Sequence, residues 1–163
     1  MKVVGIDPGT AACGYGVVQE SGGRLREVAH GCWSTAAGED TVVRLKTIHD
    51  AVAALIAEHA PDAVAVEESY VGGDARIALF VGQARGAVLV AAANAGVSCC
   101  EYAPARVKQA ICGYGRAEKA QMQRMVKMLL GLEELPTPHH AADALAVAIC
   151  HALSPPLLRV ATG

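Results

Sequence analysis

The chain has 163 residues, 53% of them hydrophobic, enough for one domain with a packed core and too apolar for an intrinsically disordered chain. A formal net charge of −2 excludes a body that is cationic overall, so a polyanion must meet a local basic patch. Six cysteines with neither a C-x-x-C pair nor zinc-type His/Cys spacing exclude a zinc module and read as buried thiols of a reducing cytoplasm.

MKVVGID enters a strand at once, through Val3, Val4 and Ile6, and has no apolar stretch or cleavage site of a secretory signal. GYGVV (14–18) resumes the extended pattern after a Pro-Gly break. Ser21, Gly22 and Gly23 then turn the chain into LREVAHGCW, so three strands form an antiparallel meander. From Thr41 to Glu58, Leu45, Ile48, Val52, Leu55 and Ile56 recur at helical spacing until Pro61. AVAVE (63–67) is too short for a helix and predicts a strand buried on both faces.

A long helix is expected from Asp74 to Asn94, a strand from Val97 to Tyr102, and a helix opening at Pro104. Gly113 and Gly115 flank a loop before a helix from Ala117 to Leu130. The last helix is expected to open with Thr137 as N-cap and Pro138 in the first turn. An order beginning β-β-β-α-β-α-β-α gives an α/β fold, a five-stranded mixed sheet with helices on both faces. One domain over 1–153 is expected, followed by a frayed tail, 154–163. The uncharged stretch from Gly86 to Cys100 falls short of the ~20 apolar residues of a membrane span, so the protein is expected to be soluble and cytoplasmic.

Four residues stand out against this frame. Asp7 and Glu67 occupy the carboxyl ends of their strands, where open α/β sheets build sites. Asp143 lies in the first turns of an otherwise apolar helix, and His140 precedes it by three residues, on the same face. Each acid alone has a plain account: Asp7 fixes a turn, Glu67 or Glu68 is solvated, Asp143 meets the helix dipole. Together they suggest a cation site, because unpaired carboxylates in apolar surroundings cost several kcal/mol and few Lys or Arg lie nearby in sequence. Glu67 and Glu68 point to opposite faces of the strand, and Glu67 continues the buried run, so Glu67 is assigned. Three carboxylates suit Mg²⁺, and two ions per subunit would activate water and stabilise the leaving oxygen of a phosphodiester.

GIDPGT with GYG (5–16), AVEESY (65–70), GQARG (82–86), VKQ with AEK (107–119) and AADALA (141–146) resemble, in order, the RuvC-type Holliday-junction resolvases. The resemblance runs from Val3 to about Ala152. It implies an RNase H-like fold, a homodimer and symmetric Mg²⁺-dependent nicking of a four-way DNA junction, with Asp7, Glu67, His140 and Asp143 as catalytic and metal-holding positions. Many relatives look to carry aspartate where this chain has His140, an imidazole that suits Mn²⁺ better. Tyr70, by the same resemblance, stacks on an unpaired base, Lys108 and Lys119 match DNA-contacting lysines, and Arg76 adds a phosphate contact. Arg106 and Arg116 would complete the basic patch, with Arg124 and Lys127 on the polar face of the 117–130 helix. The 74–94 helix, with Gly82 and Gly86 permitting close approach, is either a central helix or the two-fold interface that the resemblance favours. The resemblance also implies the RuvAB branch-migration machinery as partner.

Two rivals stand beside it. DPGT also resembles the phosphate loop of actin-like ATPases and sugar kinases, but those need two related domains. A non-catalytic junction-binding module would keep the same acids for structural reasons.

Overall fold

The computed structural model describes residues 1–9, 11–36, 38–68 and 75–155. Its strands are β1 (Lys2–Asp7), β2 (Ala12–Ser21), β3 (Arg24–Ser34), β4 (Ala63–Glu67) and β5 (Ser98–Tyr102). Its helices are α1 (Thr41–His59), α2 (Ala75–Asn94), α3 (Pro104–Cys112), α4 (Lys119–Leu130) and α5 (His139–Leu153). The sheet order is β3-β2-β1-β4-β5. β1, β2 and β3 pair antiparallel, as the Gly22-Gly23 turn requires, while β1–β4 and β4–β5 pair parallel. This is the five-stranded mixed sheet expected of an RNase H-like fold.

Strand alternation divides the core in two. Val3, Val18, Ala65, Cys100 and Tyr102 pack with buried residues of α3, α4 and α5. Val4, Ile6, Val17, Val64 and Val66 face the other way, onto Ile48 and Val52 of α1 and Ala84 and Val88 of α2. AVAVE is buried on both faces for this reason.

Element ends depart from expectation by a residue or two. The last helix starts at His139, with Pro138 rather than Thr137 as its N-cap and no side-chain cap bond. Pro138 sits in extended backbone, and its carbonyl accepts from Ala141 N. α4 begins at Lys119, with extended Glu118 as N-cap. Asp74 and residues 156–163 of the expected tail lie outside the described residues. Cys13, Cys100 and Cys150 are buried as expected, but Cys32, Cys99 and Cys112 are only half-buried, and all six are free thiols.

α2 is not a central helix. Ala84, Val88, Ala91 and Ala92 pack inward against α1 and β5, whereas Ile77, Leu79 and Phe80 are exposed. By length and composition α2 passes for a membrane span, although the uncharged stretch read from the sequence was too short for one. The helix carries Arg76 and Arg85, and Arg85 donates a hydrogen bond to Glu101 of β5.

Candidate active site

Asp7 and Glu67 end two neighbouring parallel strands, so the sheet delivers both to one edge. Alternation turns both toward the α5 side, in line with Gly5 and Ala65. Glu68 falls on the opposite side, toward Arg85, whose pKa is raised chiefly by its hydrogen bond to Glu101 and only in small part by the Glu68 charge.

α5 reaches that edge through a trough of glycines. A Cβ on Gly5 would stand 2.0 Å from the carbonyl oxygen of Ala144, one on Gly14 2.1 Å from that of His140, and one on Gly16 2.7 Å from the Leu145 side chain. The backbone of α5 therefore lies directly on β1 and β2, and Ala144 and Ala148, both fully buried, are the small residues at this contact. The GYG motif and the alanine-rich helix carry this signal in sequence, but only the docking of α5 joins them.

Seated this way, α5 brings His140 and Asp143 onto Asp7. His140 Nδ1 lies 2.8 Å from Asp7 Oδ2, where the ring N–H donates to the carboxylate. Lys119 Nζ donates to Asp143 Oδ2 at 2.9 Å. One ligand atom each from Asp7, His140 and Asp143 lies within 4.8 Å of the others, a donor set that fits a divalent ion. Glu67 is outside that set, yet near enough to feel both Asp7 and Asp143 electrostatically. Burial first, then those two charges, pushes its carboxyl up to about 7. Asp7 is also raised, chiefly by burial, against the lowering effect of its His140 hydrogen bond.

The acids are thus not unpartnered, as sequence proximity suggested. Asp143 meets a lysine 24 residues earlier in the chain, and Asp7 a histidine 133 residues later, because separate elements fold onto one edge. His139, which the sequence suggests is an exposed first-turn residue, is exposed at the start of α5, and its ring lies against that of His140 with centroids 4.2 Å apart.

Lys108 and Lys119 stand with Glu67 and Asp143 round one cavity. Arg106 does not join them. It lies over the Tyr102 ring at 5.1 Å and lines a different recess with Leu153 and Ser154, because it sits two residues from Lys108 on α3 and so on another face. Arg116 and Arg124 are exposed, Lys127 is half-buried, and Arg76 is exposed in the first turn of α2. Tyr70 lies outside the described residues.

Three comparisons bear on this arrangement. The family described as crossover junction endodeoxyribonuclease RuvC matches residues 3–151. The crossover junction endodeoxyribonuclease RuvC of Heliobacterium modesticaldum is 54% identical over 94% of this chain and 95% of its own length, and that of Moorella thermoacetica 52% identical over 93% and 91%. Among solved structures, Thermus thermophilus RuvC superposes with a TM-score of 0.86 at 42% identity over 94% of both chains. The same protein in complex with Holliday junction substrate gives 0.86 at 41% identity, again over 94% of both.

Proposed function

The chain belongs to the RuvC family of crossover junction endodeoxyribonucleases, and from that premise we propose that Asp7, Glu67, His140 and Asp143 are the residues with which it cuts DNA at a four-way junction. It is a hydrolase of DNA recombination and repair with an RNase H-like fold. The junction is its substrate, as it is in the Thermus complex. Membership of this family removes the actin-like ATPase and kinase reading.

The observation that carries the site assignment is the convergence of Asp7, His140 and Asp143 donor atoms within 4.8 Å, with Glu67 beside them. Such a set holds a divalent cation, which when bound activates water and stabilises the leaving oxygen of a phosphodiester. The side chains do the rest. The His140 ring orients Asp7 through their hydrogen bond, Lys119 balances the Asp143 charge, and Lys108 and Lys119 offer ammonium groups to phosphates arriving at the edge. Two ions per subunit, Mg²⁺ or, because His140 supplies a nitrogen, Mn²⁺ by preference, complete the reading. Tyr70 and Arg76 contact the junction, residues 1–153 work as one nuclease domain, and the protein acts in the cytoplasm as a homodimer alongside a RuvAB-type branch-migration complex.

The test is a labelled four-way junction with either metal. Asp7→Asn keeps the side-chain shape and removes its charge, so junction affinity is expected to hold within about threefold while cleavage falls by roughly 100-fold or more. In the same assay His140→Asp is expected to improve Mg²⁺ use relative to Mn²⁺. Equal losses of binding and cleavage in Asp7→Asn would remove Asp7 from the chemistry, and a wild-type protein that binds the junction but cuts it with neither metal would point to a binding module with structural acids.

A further inference from the structure

The two acids at the sheet edge are held from different sides. Asp7 ends β1 and pairs with Gly14 of β2, under α5. The β1–β4 ladder stops one rung earlier, at Ile6 and Val66, while the β4–β5 ladder runs on to Glu67 and Tyr102. Glu68 N then donates to the Tyr102 carbonyl oxygen at 2.9 Å. Glu67, the last residue of β4, therefore takes its position from β5. The charges of Asp7 and Asp143 repel it, so the strand must hold it beside them.

Neighbours across a ladder share a face, which puts the Tyr102 side chain, 1% exposed, with Glu67 on the α5 side. Its ring is clamped there. The hydroxyl lies 2.8 Å from Nδ1 of His151, itself buried, and the two rings meet edge to face with centroids 5.8 Å apart. The Arg106 guanidinium covers the Tyr102 ring. A buried polar pair costs free energy unless its hydrogen bond is made, so β5 and α5 have one favourable spacing.

Resting on the catalytic reading above, we infer that Tyr102 and His151 are positioning residues, whose buried hydrogen bond fixes β5 against α5 and thereby sets the distance from the Glu67 carboxyl to Asp7 and Asp143. His151 stands about 12 Å along α5 from Asp143, so one rigid helix carries both the anchor and the acid. The glycines of β1 and β2 seat that helix over Asp7. The Tyr102–His151 bond adds the tie to the strand pair that carries Glu67. Neither residue touches the reacting atoms; both act through Glu67, as partners that orient a ligand do.

The experiment titrates Mn²⁺ alone into the protein without DNA, followed by calorimetry, alongside cleavage of the labelled junction. Tyr102→Phe removes only the hydroxyl. It is expected to weaken Mn²⁺ binding by about tenfold and to raise the Mn²⁺ needed for half-maximal cleavage by a similar factor. Leucine and asparagine branch alike and only asparagine hydrogen-bonds, so His151→Leu is expected to repeat that loss and His151→Asn to restore most of the affinity. Val52→Ala, in the core on the other face of the sheet, is expected to lower Tm with Mn²⁺ binding unchanged, which separates loss of stability from loss of position. In a Glu67→Gln background, Tyr102→Phe is expected to weaken Mn²⁺ binding no further, since the charge it positions is gone. A Tyr102→Phe protein that binds Mn²⁺ as wild type does, while Glu67→Gln binds it weakly, overturns the inference and leaves the catalytic assignment standing. An equal loss from Tyr102→Phe in both backgrounds overturns it too. Mn²⁺ binding that Glu67→Gln leaves unchanged overturns the assignment of Glu67 to the ion site, and the inference with it.

Discussion

Burial inside an acidic cluster makes Glu67 a carboxylate whose charge changes near neutral pH. Its folded value of about 7 stands above the ordinary 4.5, so between those two values the folded protein binds more protons than the unfolded chain. Stability therefore falls as pH rises through that window. The cost is absent well below 4.5 and complete above about 7, where it amounts to roughly 3 kcal/mol. Glu67→Gln removes the charge, so its Tm is expected to exceed that of wild type by several degrees at pH 8 and to match it near pH 4. Adding Mg²⁺ at pH 8 is expected to stabilise wild type more than the variant, because the cation neutralises the charge the variant lacks. Equal melting curves at pH 8 without metal would remove the electrostatic account of the cluster. Asp7 and Glu67 were legible in the sequence because each ends a short β run. His140 and Asp143 stood out as well, but the partner of each acid did not, since the Lys119–Asp143 and His140–Asp7 pairs exist only once α4 and α5 are docked.

At the scale of elements, periodicity made the strands and helices legible, and the caps proved harder to read. Thr137 has the chemistry of an N-cap, but the extended backbone of Pro138 hands that position to the next residue. The seating of α5 was hidden for a different reason: it depends on absent side chains on β1 and β2 meeting small ones on a helix more than 120 residues away. Gly5→Ala tests it. The new Cβ would lie 2.0 Å from the Ala144 carbonyl oxygen and 2.8 Å from Ala148 N, both backbone atoms, so α5 must lift. A loss of about 3 kcal/mol or more is expected in denaturant unfolding, within the range of severe core clashes, and cleavage should fall because Asp143 and His140 ride on the displaced helix. A Gly5→Ala protein as stable and active as wild type would show that the trough does not position the site.

At the scale of the whole molecule the sheet separates two tasks. One face carries α3, α4 and α5 and, at its edge, the acids and lysines; the other carries α1 and α2. α2 then presents Ile77, Leu79 and Phe80 outward, with open space above Gly82 and Gly86. An apolar helix face of this kind, with glycines that admit a second backbone, suits a two-fold contact in which the same residues meet their copies. The sequence left this helix open between core and interface because an all-round apolar pattern does not say which face stays uncovered. Leu79, at 60% exposure, contributes little to the fold of one subunit, so Leu79→Arg is expected to leave Tm extrapolated to low protein concentration unchanged while placing two cations across the dyad. Sedimentation is then expected to show dimers for wild type and monomers for the variant at the same concentration. On a cruciform plasmid the variant should yield nicked circles where wild type yields linear product, because two strands are cut in one encounter only when two sites are joined. A Leu79→Arg protein that stays dimeric and linearises the plasmid would place the two-fold contact on a surface other than α2.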